Sequence, residues 1–169
     1  MSEAKHSTSP APYASSDDFR RVFQEETDSL SRLAFLLSAD REKAQQCLVS
    51  GLEDSVNGRP VFKQWAHTWA RRAIIQNAVR VIHPHPMEEH AHSGFDSDGT
   101  ALAVKHAETA AVFQLGPFER FVYVMSVLER YSDLDSSVLL DCTRQDVIAG
   151  RIRALQQVEM QSTFTLSAS

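Results

Sequence analysis

Cysteine, glycine and proline are all scarce in this chain: of its 169 residues, two are cysteine, six are glycine and six are proline. Cys47 and Cys142 lie far apart, one in each half of the chain. They form no disulfide framework and read as two small apolar residues of a reducing compartment. The glycines stand singly, so there is no Gly-rich loop to cradle a phosphate. A nucleophile elbow and a paired acid–base motif are missing too. The expectation is a protein that is not an enzyme and needs no cofactor. No apolar run approaches the length of a membrane span, and the N-terminal residues lack the apolar core of a signal peptide. The chain is therefore expected to be soluble and cytoplasmic, with no membrane partner. Positive charge is also in deficit: 17 Lys and Arg against 22 Asp and Glu leave a formal net charge of −5. That balance excludes a protein that coats nucleic acid indiscriminately, so any contact with a polyanion must come from a local patch.

Such a patch is present. From Val61 to Ile82 the sequence reads V-F-K-Q-W-A-H-T-W-A-R-R-A-I-I-Q-N-A-V-R-V-I. Phe62, Trp65, Ala66, Trp69, Ala70, Ala73, Ile74, Ala78 and Val81 recur at the spacing of one helix face. Lys63, His67, Arg71 and Arg80 fall largely outside that stripe, with Gln64, Thr68 and Gln76 among them. Pro60 precedes the first turn, where its missing N–H costs nothing. The spacing predicts a long helix with one apolar face and one basic, amide-rich face. That basic face is either a solvated surface or a surface for a polyanion, since Arg, Gln and Asn suit phosphates and base edges.

The rest is helical with one interruption. Residues 1–16, rich in Ser, Ala and Pro, read as a disordered leader. Ser16 offers an N-cap to a first helix carrying Phe19, Val22, Phe23, Leu30, Leu33, Ala34 and Leu37 inward. Asp40 caps a second helix from Arg41, with Ala44, Cys47, Leu48 and Leu52 inward, ending near Asn57-Gly58. With the Trp helix these make a three-helix bundle over 17–82. Residues 83–107 are polar, acidic and breaker-rich, a flexible linker. Helical pattern returns weakly from Ala101 to Phe113, then strongly after Gly116-Pro117, in a helix running to about Arg130. A short helix (Asp133 to Leu140), a turn (Asp141 to Thr143) and a longer helix (Arg144 to Gln157) follow, the outline of a helix-turn-helix in a second small domain, 108–157. Residues 158–169 read as a disordered tail. The fold expected is all-α, two small helical domains joined by a linker.

In a DNA-reading helix-turn-helix the start of the second helix meets base edges. Here Thr143 is the N-cap, Arg144 and Gln145 suit guanine and adenine, and Arg151 and Arg153 suit phosphates. Gly150 in mid-helix, costing about 1 kcal/mol against Ala, and the negative charge of Asp146 count against that reading.

Taken in order, these segments resemble a bacterial sigma factor of the sigma-70 family, of the extracytoplasmic-function type. Leu30 to Gln45 resembles the family's opening helix and the start of the next. Phe62 to Arg72 (F-K-Q-W-A-H-T-W-A-R-R) resembles its F-x-x-W-L-x-x-I-A-R-N stretch, with Arg72 in place of the closing Asn. Leu115 to Ser132 resembles the lead into its region 4, and Asp133 to Val147 falls on its helix-turn-helix. Ser137 and Asp141 stand there in place of Ala and Gly. The resemblance implies a region 2-like first domain and a region 4-like second one, with core RNA polymerase and promoter DNA as partners and an anti-sigma protein as a further candidate. It implies minus-ten contacts from Lys63, Gln64, Trp65, His67, Arg71, Arg72, Gln76 and Arg80. Thr143, Arg144, Gln145, Arg151 and Arg153 would serve the minus-thirty-five element. Polymerase would be held by Gln45, Leu48, Val49, Leu52 and Glu53, although the family's acidic, Gln-containing segment is altered here to Q-C-L-V-S-G-L-E-D-S. That alteration keeps open a degenerate adaptor or decoy without promoter activity. His83, His85, His90 and His92 leave open a zinc-responsive regulator, against the plainer reading of a His-rich linker that holds no metal. Limited proteolysis should cut first between His83 and Gly99; early cutting inside Val61–Ile82 would count against the predicted organisation.

Overall fold

The computed structural model describes residues 12–86 and 107–167. Among these residues there are eight α-helices and no strand; the sole β contact is one antiparallel bridge, Tyr13 to Phe62. No helix among them is long and apolar enough to cross a membrane.

Helix α1 (Ser16–Glu25) starts one residue earlier than the sequence suggests, because Ser15 rather than Ser16 is the cap. The Ser15 hydroxyl accepts from Asp18 N–H at 3.2 Å, and the Asp18 carboxylate accepts from Ser15 N–H at 2.8 Å. This is a capping box with Asp in the place usually held by Glu or Gln. The single helix expected from Phe19 to Leu37 is broken at Glu26, and α2 (Thr27–Ser38) follows at once. Thr27 turns its hydroxyl back to the carbonyls of Phe23 (2.7 Å) and Gln24 (3.0 Å), a back-bond that bends helices. Asp40 caps α3 (Arg41–Asn57) as expected, accepting from Lys43 N–H at 3.0 Å. Ala44, Cys47, Gly51 and Ser55 face inward, while Leu48 and Leu52 are only half-buried.

The Trp helix is shorter than predicted. Helix α4 (Ala66–Ile82) follows a 3-10 turn over Lys63–Trp65, and Val61 and Phe62 are extended. Ala14 N–H donates to the Val61 carbonyl at 2.7 Å and Lys63 N–H to that of Pro12 at 3.0 Å. The end of the supposed leader is thereby tied to the front of α4. Phe62 and Trp65, expected in the buried stripe, are 40% and 54% exposed. They precede the regular helix, so the 3.6-residue period does not set their direction.

In the second half, α5 (Ala107–Phe113) leads to α6 (Pro117–Tyr123), with Pro117 in the first turn. In place of one regular helix to Arg130, α6 passes into a π-helical turn, Val124–Leu128. Helix α7 (Asp133–Leu140), a turn and α8 (Arg144–Ser167) follow. Asp141 adopts the left-handed conformation (φ 50°, ψ 50°) that ends α7, as the sequence suggests. The disordered tail expected from Val158 is a correction: α8 continues to Ser167. No breaker interrupts the segment, Val158 extends the buried row of Val147 and Ala154, and α5 packs alongside α8.

One apolar core runs through both halves. Helix α2 packs on α6 and its π turn, and the rings of Phe35 and Phe113 meet at 5.0 Å. Arg120 is 7% exposed and carries its guanidinium into this seam. Its Nε donates to the Leu37 carbonyl at 3.1 Å and Nη1 to the Leu115 carbonyl at 3.3 Å. Leu37 lies in the last turn of α2, where carbonyls lack helical partners and the dipole is negative. Burial holds the Arg120 pKa down to about 10, so the group remains charged at neutral pH.

Gly150 has a packing reason. A Cβ there would stand 2.8 Å from Phe118 Cε1 and 3.4 Å from Val122 Cγ2. Helix propensity favours Gly150→Ala by about 1 kcal/mol, but overpacking a fixed ring costs about 1–3 kcal/mol. We expect net destabilisation by urea titration; a stabilised variant would show that Phe118 yields freely.

Candidate nucleic-acid interface

The outer side of α4 carries its cations as the sequence indicates, but acidic side chains from other elements meet most of them. Lys63 Nζ lies 3.3 Å from Asp18 of α1. His67 Nδ1 lies 2.5 Å from Glu26, between α1 and α2. Arg80 Nη1 donates to Asp54 of α3 at 2.8 Å, and Asn77 Nδ2 donates to the same oxygen at 3.0 Å. Burial pushes the Asp54 pKa up, yet the hydrogen bonds from Asn77 and Arg80 leave it below its usual value. Gln64 is exposed, Gln76 is half-buried, and half-buried Arg72 acts on Tyr131. Burial raises the Tyr131 hydroxyl pKa, and the Arg72 charge opposes that rise. The purely basic face read from the sequence is thus a correction: it is a face of ion pairs.

Arg71 is the most heavily engaged. Its Nε donates to Glu129 at 2.6 Å and its Nη2 to the other Glu129 oxygen. Nη1 donates to Ser29 at 2.8 Å and lies 3.8 Å from Glu26. The Glu129 hydrogen bonds, against the effect of burial, raise the Arg71 pKa further. Beside the pair lies a cleft of about 320 Å³ lined by Thr68, Arg71, Leu128, Glu129, Arg130 and Tyr131.

At the front of α4 stands an aromatic group that the sequence gives only in part. Tyr13 stacks on Phe62 (centroids 4.9 Å apart, 22° between planes), and Phe62 meets Trp65 edge-on at 5.3 Å. All three are exposed. Rings of this kind offer stacking faces to unpaired bases, with Lys63 close by for a phosphate. Tyr13 was hidden within the Ser/Ala/Pro leader; no periodicity marks it.

On α3, Gln45, Val49 and Glu53 are exposed and Leu48 and Leu52 half-buried. Gln45, Leu48, Val49 and Leu52 share one side at helical spacing, a half-apolar strip suited to another protein.

In the helix-turn-helix, Thr143 accepts from Asp146 N–H at 3.1 Å, and the Asp146 carboxylate accepts from Thr143 N–H at 3.0 Å. Hydrogen bonds from the Thr143 side chain, then its backbone, hold the Asp146 pKa low. The negative charge of Asp146 is therefore engaged in the capping box that opens α8. Arg144 and Gln145 are exposed in its first turn, and no carboxylate among the described residues pairs with Arg144. Arg151 is bound to Asp133, and Arg153 lies 2.9 Å from Glu119. Ile148, Ile152 and Leu155 lie exposed on α8, and Leu134 and Val138 on α7.

His83 and His85 are exposed, His83 ending α4 at φ 51°. His90 and His92 lie outside the described residues, as does most of the predicted linker.

No protein-family model matches this chain, and no curated protein matches it. Among solved structures it is similar to the sigma factor RpoE of Bartonella quintana, from a co-crystal with the anti-sigma factor NepR. The two are 16% identical, the match covers 87% of this chain and 98% of that one, and the TM-score is 0.50. At that identity the likeness is one of fold, and it agrees with the all-α architecture.

The cap that positions Lys63 titrates. Hydrogen bonds from the Ser15 backbone and side chain, then Lys63, hold the Asp18 pKa down to about 2. The folded value lies below the free one of about 4. The stabilisation is therefore present above pH 4 and lost as pH falls through 2. Asp18→Asn should lower the thermal midpoint at pH 7, with the difference closing by about pH 2. A gap independent of pH would place the effect outside this carboxylate.

Proposed function

We propose that the chain is a sigma-type transcription initiation factor that binds core RNA polymerase and directs it to promoter DNA. The observation that carries the reading is the pairing of two modules in order along one chain. A helix with cations and exposed aromatics lies in the first half, and a helix-turn-helix with Arg144 and Gln145 outward in the second. The fold likeness to a sigma factor over nearly the whole of both chains supports it.

In this reading the Tyr13, Phe62 and Trp65 rings stack bases of the opened minus-ten element, while Lys63, His67, Arg71 and Arg80 exchange their carboxylates for phosphates. Arg72, Gln64 and Gln76 flank them. Arg144 and Gln145 read base edges of the minus-thirty-five element, and Arg151 and Arg153 meet its backbone. The α3 strip of Gln45, Leu48, Val49, Leu52 and Glu53 docks on polymerase. The extracytoplasmic-function type, cytoplasmic location and an anti-sigma protein as regulator belong to the same proposal, the last supported by the complex in which the similar structure was solved. A second reading, an adaptor or decoy without promoter activity, is favoured by one observation: most candidate phosphate-binding cations already have a carboxylate of this chain.

Run-off transcription with core polymerase on genomic fragments, beside a polymerase pull-down, separates the two. Initiation from specific promoters is expected. Arg144→Ala or Gln145→Ala should cost about 1–3 kcal/mol and relax preference at one upstream position. Arg153→Ala should weaken all promoters alike. Polymerase capture without transcripts would establish the adaptor, and loss of both would remove the proposal.

A further inference from the structure

We propose that the cleft beside the Arg71–Glu129 pair binds a nucleoside monophosphate, with its phosphate on Arg130, Thr68 and Tyr131 and its base against Leu128. The site goes beyond the transcription reading and does not depend on it.

Which groups of the cleft are already engaged decides the sign of the ligand. Arg71 holds Glu129 through Nε and Nη2, and its Nη1 donates to Ser29 at 2.8 Å. Glu129, the carboxylate of the cleft, is thus neutralised by the cation beside it. The groups left over are donors. Thr68, Arg130 and Tyr131 line the same cleft, and among the described residues their side chains pair with no carboxylate and share no hydrogen bond. Half-buried Arg72, also without a carboxylate among the described residues, brings its charge to bear on Tyr131. Asp135 acts on Tyr131 from α7, but its carboxylate accepts from the Ser132 hydroxyl at the cap of that helix. A cation and two hydroxyls around one opening call for an anion. Three donors on three residues suit the three oxygens of a phosphate monoester better than the two of a planar carboxylate.

The backbone brings these groups together. Glu129 N–H donates to the Val124 carbonyl and Tyr131 N–H to that of Met125, both at 2.9 Å. The π turn thereby closes with Leu128, Arg130 and Tyr131 beside Thr68 of α4. π-helical turns are frequent at functional sites. Arg130 stands in this closure at φ 58°. Glycine would take that left-handed position without strain, but it would bring no cation to the cleft. Leu128 is exposed and Tyr131 half-buried, which gives the opening an apolar wall for a base. The cleft measures about 320 Å³, at the small end of the range of ligand sites. That is room for one nucleotide and not for a strand.

The test titrates the full chain with adenosine monophosphate by calorimetry. Saturable one-site binding is expected, with adenosine and inorganic phosphate each about tenfold weaker or more, since each leaves part of the site unfilled. Arg130→Asn removes the cation but keeps a residue that tolerates the left-handed position. It should weaken the nucleotide about tenfold or more. Tyr131→Phe should weaken it as well, with the ring left in place. Arg144→Ala, a cation removed outside the cleft, should change nothing; an equal loss there would reveal diffuse attraction between charges and refute the site. Inorganic phosphate binding as tightly as the nucleotide would exclude the nucleoside and with it the proposed ligand. A single-stranded oligonucleotide that binds where the mononucleotide does not would replace the small ligand with a polymer. No saturable binding at all would overturn the proposal outright. A measurement without substitution guards against misfolding: a photoreactive azido derivative of the nucleotide, irradiated with the parent protein, should label Leu128 or Tyr131. Label confined to other segments would rule out this cleft.

Discussion

A guanidinium taken out of water must find acceptors that replace its hydration, and two arginines under this constraint join the halves of the chain. Among the described residues Arg120 meets it with backbone carbonyls, one of them in the last turn of α2. Arg71 meets it with a carboxylate from the opposite half. The two solutions differ in what they permit. A carbonyl at a helix terminus cannot be withdrawn without unwinding the helix. A glutamate at the end of a π turn can be exchanged for another anion. The first contact fixes where α2 and α6 sit, and the second ties α4 to the end of the π turn.

The same accounting explains which parts of the fold were legible in the sequence. Helix positions in α3 and α7 and the start of α8 follow from local signals: the Asp40 cap, the left-handed Asp141 and the Thr143 cap. Each involves residues at most four apart. What could not be read are contacts between distant segments. Glu129 meets Arg71, Asp54 meets Arg80 and Glu119 meets Arg153, and no spacing rule links such positions. The basic face therefore looked uncompensated when it is not. The aromatic group was half legible for the same reason, since Tyr13 reaches Phe62 through a backbone bridge rather than a pattern. The length of α8 escaped because its last turns are Ser- and Thr-rich and carry no periodic apolar pattern.

Two features that seemed to weaken a helix-turn-helix prove to build it. Gly150 lets α8 lie against the Phe118 ring, 2.8 Å from where a Cβ would stand. Asp146 spends its charge on the first turn of α8, where acidic groups favour the helix dipole. The exposed apolar row of Ile148, Ile152 and Leu155 beside Arg144 gives the outer side of α8 a mixed character. Apolar groups there can meet thymine methyls, and they equally suit a protein surface.

A chain with net charge −5 has carboxylates enough to neutralise its cations locally. Surface ion pairs are worth about 0–1 kcal/mol, so Lys63 with Asp18 and Arg80 with Asp54 can be traded for phosphates at little cost. Such pairs lower the local potential without closing the face. Shielded pairs behave otherwise, because breaking one leaves a charge partly desolvated. Losing Glu129 would therefore leave the Arg71 guanidinium, 27% exposed, without its two-pronged partner. Exposure thus sorts the ion pairs of one helix into a weakly held set and a more strongly held one.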